Sequence, residues 1–326
     1  MTLWRTRCEN SRGLSHGING GEDATTRAPF LQLHWPSMGK MHAGCPLCDG
    51  TRKTPHPDYT EHHLVRCSNC GFYYAELEPS NEELAKYYSN YPMPEQLSPI
   101  TAQRYHEWLR SFEPYRRNGR LLDMGCGAGM FLQRALAAGW EAYGTEYPTD
   151  VVERCKSKGL KMHQGPVSTH PWPKEHFDVI VTIEVIEHVP FPFADLRVLV
   201  ELLRPGGVLY ITTPNFNSIS KWLLGKTWDV VCYPEHLSLF TPRTMHRTLT
   251  SLGLEKVHLR TTGISFHRIN IAKGKPTQVN GVDSDEEMRR KIETKWYLKG
   301  AKAMINGLLN FSKRGDTIKV LYRKKG

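Results

Sequence analysis

The sequence lacks the features that tie a protein to a membrane or to an extracellular compartment. Its 326 residues include no uninterrupted apolar run that approaches the roughly 18 residues needed to span a bilayer. The first residues, MTLWRTRCENSRGL, contain no apolar core of the kind that a secretory signal requires. We therefore expect a cytoplasmic, reducing location and no insertion into a membrane.

The sequence also lacks internal repeats and an extreme composition. Hydrophobic residues make up 39% and charged residues 23%, which is typical of a soluble globular protein, and the length suffices for a full α/β core. The net charge of +10 is concentrated near the C-terminus, because residues 273–326 contain 14 Lys and Arg against 6 Asp and Glu. Such a segment attracts nucleic acid, anionic lipid or a nucleotide-linked substrate, although a solvated helix face and a charged last strand account for it more simply.

Changes in composition divide the chain into four parts, which are residues 1–43, 44–78, 79–117 and 118–326. The first part mixes Gly, Ser, Asn, Arg and Pro without periodicity, and we expect it to be disordered. The second contains four cysteines. The third is predicted to form two helices, over about 81–90 and 98–112, and the first of them follows a capping-box pattern from Ser80 to Glu83.

The fourth part alternates between strand-like and helix-like segments from residue 120 onward. RLLDMG, WEAYGTE and FDVIVTIE have the character of strands, and AGMFLQRALAAG and PTDVVERCKSKG that of helices. This alternation predicts parallel strands joined by crossover helices. A charged helical stretch, about residues 284–311, and a last strand, DTIKVLYRKK, are expected to close the chain.

A glycine-rich turn, LLDMGCGAG, follows the first of these strands and opens a helix. Gly125, Gly127 and Gly129 permit a tight turn and let a ligand approach the backbone, and the helix N-terminus behind them favours a negative group. On its own the turn is also compatible with a dinucleotide or with no ligand. Asp123 lies two residues before the first glycine, and Glu146 ends the next strand, where an acid can accept two ribose hydroxyls.

Four motifs together resemble the class I S-adenosylmethionine-dependent methyltransferases. They are LLDMGCGAG, GTE, FDVIVTIEVIEHV and LLRPGGVLYITTPN, and the resemblance is strongest over residues 118–263. It implies an α/β fold with a seven-stranded Rossmann-like sheet of order 3-2-1-4-5-7-6. The seventh strand is antiparallel in this family, and DTIKVLYRKK is the candidate for it.

The resemblance also implies a site for S-adenosylmethionine. The glycine loop, which includes Cys126, holds the methionine part in the family, and the acid that matches Glu146 holds the ribose. The adenine meets the residues after the third strand, here Gln164, Gly165 and Pro166, where many relatives have an acid that this chain lacks. We assign the cofactor site to Asp123, Gly125, Cys126, Gly127, Gly129, Glu146, Tyr147, Gly165, Pro166 and Glu184.

Two C-x-x-C pairs, CPLC and CSNC, are separated by 18 residues. Each pair suits a tight knuckle, and four thiolates in a tetrahedron make a closed structural zinc site, whereas chance or a redox pair is the alternative. A zinc knuckle before a methyltransferase domain resembles bacterial enzymes that methylate sugars and other secondary metabolites. We assign a structural Zn²⁺ that stabilises a small lobe, with no role in catalysis, to Cys45, Cys48, Cys67 and Cys70.

The segment TIEVIEHVP places two carboxylates and an imidazole at the end of the predicted fourth strand of the main domain. The spacing of Glu184, Glu187 and His188 predicts that they share one face of a helical turn. Ligands bind at the carboxyl ends of strands in open α/β sheets, so this cluster is expected at the rim of the active site. Asp178 begins the same strand and is expected at the opposite end.

Three interpretations of this cluster remain open. In the first, Glu184 contacts the cofactor's ammonium while its neighbours orient the next loop. In the second, either His188 or His236 is a general base, a role that suits an unperturbed imidazole with a pKa near ~6.5. In the third, the cluster binds a divalent cation such as Mg²⁺, Mn²⁺ or Zn²⁺. E-x-x-E-H resembles metal-dependent O-methyltransferases of ubiquinone biosynthesis and of the terminal ribose of small RNAs, and His236 would match a further histidine of the RNA enzymes. The catalytic candidates are His188, His236 and Glu187. The candidate second metal site consists of Glu184, Glu187, His188 and His236.

We therefore expect an S-adenosylmethionine-dependent methyltransferase that O-methylates a sugar, a glycan or a related small molecule. A metal-dependent RNA ribose O-methyltransferase is the first alternative, although the chain has no recognisable RNA-binding module and nucleic acid is the less favoured partner. A non-catalytic S-adenosylmethionine-binding protein is the alternative of another class, but a degenerate relative would usually have lost part of the glycine loop or of the rim acids. The sequence leaves the acceptor and the oligomeric state open.

Overall fold

The computed structural model describes residues 40–80, 83–84, 87, 97–264 and 296–326. The predictions of disorder over residues 1–39, of most of the helix over 81–90, and of helix over 284–295 lie outside the described residues. Residues 40 and 41 form a strand, so the predicted disorder of residues 40–43 is wrong. Among the described residues, no helix is both long enough and apolar enough to cross a membrane.

The N-terminal part contains five short strands, which form a small lobe around the cysteines. They are β1 (Lys40–Met41), β2 (Lys53–Pro55), β3 (Leu64–Cys67), β4 (Tyr73–Ala75) and β5 (Leu77–Glu78). The predicted capping box follows the lobe, because the backbone N–H of Ser80 donates to Glu83 Oε2 at 2.8 Å and that of Glu83 donates to Ser80 Oγ at 3.2 Å.

The remaining elements alternate as the sequence predicted. They are α1 (Pro99–Phe112), β6 (Arg120–Met124), α2 (Met130–Ala137), β7 (Glu141–Glu146), α3 (Thr149–Ser157), β8 (Lys161–Gln164), β9 (Phe177–Ile183), α4 (Pro192–Leu202), β10 (Leu203–Pro214), α5 (Ile219–Leu224), β11 (Ser238–Leu239), α6 (Pro242–Ser251), β12 (Leu254–Thr262), α7 (Trp296–Ser312) and β13 (Thr317–Lys324). Ser98 caps α1 by accepting a hydrogen bond from the Thr101 N–H, which explains why that helix begins at Pro99.

Seven strands form the main sheet in the order β8-β7-β6-β9-β10-β13-β12. Numbered along the chain within the sheet, this is 3-2-1-4-5-7-6. The last strand, β13, runs antiparallel to both of its neighbours, β10 and β12. The predicted Rossmann-like α/β fold, its strand order and its antiparallel seventh strand are therefore confirmed.

Side chains that alternate along the central strands bury two apolar clusters, one on each face of the sheet. One cluster contains Leu121 and Val179 together with residues of α1, α2 and α3. The other contains Leu122 and Ile180 together with residues of α4, α6 and the cysteine lobe. Strands covered on both faces account for the continuous apolar runs in the sequence.

Asp178 lies at the start of β9, away from the strand ends that carry the candidate site. The carboxylate is fully buried. It accepts hydrogen bonds from the backbone N–H groups of Arg117 at 2.8 Å and Gly119 at 2.7 Å, and it forms an ion pair with Arg204. As expected, Asp178 has a structural position at the opposite end of the strand from Glu184.

The cysteine lobe shares a strand with the main domain. Its four-stranded sheet has the order β11-β4-β3-β2, and β11 begins two residues after His236. The backbone N–H groups of Leu237 and Ser238 donate to the Glu187 carbonyl at 2.8 and 2.9 Å. The lobe therefore supports the chain around His236 and the turn that carries Glu187.

Candidate active site and cysteine cluster

The glycine loop joins β6 to α2 through residues with a left-handed backbone. Gly125, Gly127 and Gly129 have φ angles of 69°, 53° and 71°, which residues with a Cβ rarely adopt. A Cβ on Gly125 would lie 2.8 Å from the side chain of Val185. The loop therefore packs directly against the turn that follows β9.

Glu146 ends β7 and holds the glycine loop in place. Its Oε2 accepts a hydrogen bond from the Gly127 N–H at 2.9 Å, and its Oε1 accepts one from the Tyr147 N–H at 2.9 Å. Burial raises the pKa of Glu146, and the two backbone donors oppose that shift. Each oxygen keeps a second lone pair that a ligand hydroxyl can use.

Asp123 is a buried carboxyl beside this loop. Its side chain is 3% exposed, and its Oδ1 has no hydrogen-bond partner among the described residues. Burial raises the pKa of Asp123 well above its ordinary value, and the charge of Glu146 adds to that effect. An unpartnered buried carboxylate oxygen is costly, and a ligand that carries ammonium and hydroxyl donors removes the cost. The residues present therefore fit S-adenosylmethionine, which carries both groups.

The segment after β8 lies next to the same strand end. The Gly165 N–H donates to the Glu146 carbonyl at 2.9 Å, and the Gln164 side-chain amide donates to the Tyr147 carbonyl at 3.3 Å. Pro166 follows directly and begins a short 3-10 turn. The residues predicted for the adenine side thus surround the carboxyl end of β7, where the Tyr147 side chain is 65% exposed.

Asp195, in α4, is an acidic residue of this region that the sequence pattern did not indicate. Partial desolvation of the phenol hydroxyl is the main cause that raises the pKa of Tyr147, and the charge of Asp195 comes second. Burial also raises the pKa of Asp195 itself to about 6. No spacing rule connects a residue within α4 to the end of β7, so only the tertiary structure brings this acid to the site.

The segment TIEVIEHVP does not form the predicted helical turn. Glu184 has a φ of 56°, which breaks the chain direction directly after β9. The following tight turn is closed by a hydrogen bond of 2.9 Å from the His188 N–H to the Val185 carbonyl. Glu184 therefore does not share a helical face with Glu187 and His188, and it is not part of the cluster that those two residues form.

Glu187, His188 and His236 come together, with one potential ligand atom of each within 4.8 Å of the others. The two imidazole rings have centroids 4.8 Å apart. His188 Nδ1 lies 2.9 Å from the Glu235 carbonyl, and His236 Nδ1 contacts the Val230 carbonyl. In a neutral ring the nitrogen that meets a carbonyl carries the proton.

Glu187 is fully buried between these rings and β10. Its Oε2 accepts a hydrogen bond of 2.9 Å from the Thr213 hydroxyl, whereas Oε1 has no hydrogen-bond partner among the described residues. Burial and the nearby charge of Glu184 raise the pKa of Glu187 well above its ordinary value. Burial also lowers the pKa of His188 to about 4, below the value of ~6.5 for a free imidazole.

One further residue, Glu235, supports the cluster and was missed by sequence reasoning. Glu235 is buried, and besides its carbonyl contact to His188 it accepts a hydrogen bond from the Tyr87 hydroxyl through its carboxylate. Tyr87 precedes α1 in the chain, and its hydroxyl reaches the residue beside His236. The only signal in the sequence is that Glu235 directly precedes His236.

The four predicted cysteines also converge. Cys45 Sγ and Cys70 Sγ are 3.6 Å apart, and Cys48 Sγ and Cys67 Sγ are 3.7 Å apart. Four thiolates that bind one zinc ion at ~2.3 Å in a tetrahedron are separated by about 3.8 Å. The cluster therefore has the spacing of a closed Zn²⁺ site, and its four ligands leave no open position for a substrate.

Comparisons with known proteins agree with this architecture. A family profile described as a methyltransferase domain matches residues 97–259. A ubiquinone biosynthesis O-methyltransferase of Aromatoleum aromaticum is 25% identical over 189 residues, which cover 54% of this chain and 77% of that protein. Another of Cereibacter sphaeroides is 30% identical over 163 residues, which cover 46% of this chain and 65% of that protein.

Among solved structures, a SAM dependent methyltransferase of Archaeoglobus fulgidus matches 68% of this chain and 94% of its own, with 19% identity and a TM-score of 0.47. The family profile covers half of the present chain, and it includes the glycine loop, Glu146 and the turn after β9. The chain therefore belongs to the methyltransferase domain family and is an S-adenosylmethionine-dependent methyltransferase.

Proposed function

We propose that the protein transfers the methyl group to a hydroxyl oxygen of a small-molecule acceptor. The observation that carries the proposal is the convergence of Glu187 with His188 and His236 directly behind the turn that packs on the glycine loop. A carboxylate and two imidazole rings are groups that accept or hold a proton. Their position at the carboxyl ends of β9 and β10 is where an acceptor meets the cofactor in open α/β sheets.

Bound S-adenosylmethionine supplies a methyl group that its sulfonium makes electrophilic. The work left to the chain is to orient the acceptor, to exclude water and to take up the hydroxyl proton. Asp123, Glu146 and the glycine loop hold the cofactor in this proposal, and the Tyr87 hydroxyl, which donates to Glu235, lies on the acceptor side. Burial lowers the pKa of His188 and so favours its neutral ring.

We further propose that Glu187, His188 and His236 hold a divalent cation. Two ligand atoms bound to one ion at ~2.1 Å are at most about 4.2 Å apart, so atoms within 4.8 Å need only small side-chain rotations to reach that geometry. A fully buried carboxylate is costly without a compensating charge. A cation held here would supply positive charge that favours the loss of a proton from an acceptor hydroxyl.

Two observations bear on the class of acceptor. The names of the two relatives refer to O-methylation in ubiquinone biosynthesis, which supports an oxygen acceptor. Neither name refers to a sugar or a glycan, so that expectation depends on the cysteine lobe and its resemblance to sugar-modifying enzymes. We keep both phenolic and sugar hydroxyls as acceptor classes.

The proposal can be tested by incubating the purified protein with methyl-labelled S-adenosylmethionine and separate acceptors. The panel contains a catechol, a simple phenol, a free sugar, a nucleotide sugar and a small RNA with a free terminal ribose. Label in a phenol or a sugar supports the proposal. Parallel reactions with EDTA, and with EDTA followed by excess Mg²⁺ or Mn²⁺, test the cation, because restored transfer is expected only if the cluster binds one.

A ribose O-methyltransferase for RNA is the second candidate, because His236 joins Glu187 and His188 in space. Label in the RNA alone would replace the main proposal with this one. Tight binding of S-adenosylmethionine without transfer to any acceptor of the panel or to cell extract would instead favour a non-catalytic binding protein.

A further inference from the structure

A cleft of about 640 Å³ lies between the cysteine lobe and one edge of the main sheet. The loop that carries the second cysteine pair forms one wall, and α6 and β12 form the other. Small-molecule sites have volumes of about 300–1,000 Å³, so the cleft has the size of a binding site. Neither the glycine loop nor Glu187, His188 or His236 lines it, and it is therefore a second, separate cavity.

The lining of this cleft is basic and contains no Asp or Glu. Its basic side chains are Arg66, Arg243, His246, Arg247, Lys256 and Lys313. The Lys and Arg side chains of this set form no ion pair with a carboxylate in the part of the chain that the structure describes. Cations gathered in one concave surface repel one another unless an anion compensates them.

A zinc ion bound by four thiolates explains only part of this charge. Such a centre has a formal charge of −2, whereas five Lys and Arg side chains line the cleft. Of these five side chains, Arg66 approaches the cysteines. Its Nη2 lies 3.3 Å from the position that a Cβ on Gly71 would occupy, and Gly71 directly follows Cys70. Arg243, Arg247 and Lys256 lie on the opposite wall, so the remaining positive charge faces the cleft.

The opposite wall has the geometry of an anion site. Arg243 and Arg247 are four residues apart on α6 and therefore lie on the same helix face. The N-terminal end of α6, capped by Thr241, lines the same cavity and adds the positive end of the helix dipole. Tyr73, whose ring lies 5.9 Å from the Arg66 guanidinium, supplies an aromatic surface.

We propose that this cleft binds the phosphate groups of a small phosphorylated molecule of nucleotide size. Guanidinium groups match phosphate oxygens with paired hydrogen bonds, and lysine adds a point charge. The volume accommodates more than one phosphate but not a folded macromolecule. The inference does not depend on the acceptor proposed above, because phosphate binding is measured without methyl transfer.

The test is isothermal titration calorimetry on the full-length protein with saturating S-adenosylmethionine and no added divalent cation. Pyrophosphate and uridine diphosphate are the two probes, and they distinguish a site for phosphate alone from one that also reads the nucleoside. The variant is Arg243→Ala with Arg247→Ala. The matched control is Arg110→Ala with Arg117→Ala, which removes the same charge from exposed positions outside the cleft.

We expect saturable binding of either probe to the wild type. The Kd should rise about tenfold or more in the cleft variant, because only that variant loses charge-assisted hydrogen bonds, and it should be unchanged in the control. Equal affinities in the two variants, or no binding to the wild type, would overturn the proposal. Tighter binding of a single-stranded RNA of fifteen nucleotides, lost in the cleft variant, would also overturn it in favour of nucleic acid. Lys256→Ala, at an exposed position, repeats the test if the double variant fails to fold.

Discussion

Glu187 and Thr213 are joined by a fully buried hydrogen bond of 2.9 Å that connects the turn after β9 to the end of β10. It occupies Oε2 of the carboxylate and leaves Oε1 as the atom that a cation or an acceptor can use. Because both residues are anchored at adjacent strands of the sheet, the carboxylate is held in one position. Such preorganisation is what a group that meets a reacting hydroxyl requires.

The first prediction concerns this carboxylate. Glu187→Gln keeps the shape and the bond to Thr213 but removes the charge, so we expect kcat to fall by about 100-fold or more and the stimulation by Mn²⁺ to disappear. Without divalent cations the variant should unfold at no lower temperature than the wild type, because an uncompensated buried charge has been removed. Glu201→Gln, at an exposed acid of α4, is the control; equal kcat in both variants would contradict the site.

The second prediction concerns the cofactor loop. Glu146→Ala removes the acceptors of the Gly127 and Tyr147 N–H groups, and we expect the Kd for S-adenosylmethionine to rise by about 10–100-fold. Glu146→Gln, which keeps one acceptor oxygen, should have an intermediate effect. Calorimetry provides the measurement, and Glu141→Gln at the start of the same strand should bind as the wild type does. Unchanged affinity in Glu146→Ala would remove the ribose assignment.

The third prediction concerns the cysteine cluster. The purified protein should contain one zinc ion per chain by plasma mass spectrometry, and Cys67→Ser should lose it, because a closed tetrahedral site needs all four ligands. The variant should also lose methyl transfer, since β4 of the lobe pairs with β11 next to His236. Cys126→Ser, outside the cluster, should keep the zinc. Full zinc content in Cys67→Ser would contradict the assignment.

The fourth prediction concerns stability at the opposite end of β9. Asp178→Ala leaves Arg204 and two backbone N–H groups without their acceptor, and we expect the free energy of unfolding to fall by about 3–5 kcal/mol. Glu153→Ala, which breaks an exposed ion pair with Lys156 in α3, should lower it by less than about 0.5 kcal/mol. Urea denaturation measures both values, and similar losses would contradict the buried role of Asp178.

The fifth prediction is a pH dependence from Lys319 in β13. Burial, with the charge of Arg104 second, lowers the pKa of Lys319 to about 8. The unfolded side chain has a pKa of about 10.4, so between these values the unfolded chain binds more protons and stability rises with pH. Lys319→Met should remove this rise between about pH 8 and pH 10 and should raise stability at neutral pH. Lys226→Met, at an exposed position, should leave the profile unchanged; an identical profile in both variants would contradict the prediction.

Local patterns account for most of the fold. The glycine turn and the alternation of strands and helices were readable because side-chain periodicity and backbone conformation depend on neighbouring residues. The antiparallel last strand was expected from the resemblance to the methyltransferase family. The two C-x-x-C pairs belong to the same category, since knuckle spacing is a local property. The strand Lys40–Met41 was missed, because its partner, Leu77–Glu78, lies far along the chain and two residues carry no period.

The sequence by itself determined the α/β class and the residue types at the ends of the strands, and its resemblance to the methyltransferase family implied the strand order. Only the tertiary structure decided which acid meets the histidines. The left-handed backbone of Glu184 ends the strand abruptly, and the turn that follows carries Glu187 inward to meet His236. Helical spacing had grouped Glu184 with Glu187, whereas the structure leaves Glu184 outside the group of potential ligand atoms, because side-chain direction depends on the backbone of each residue.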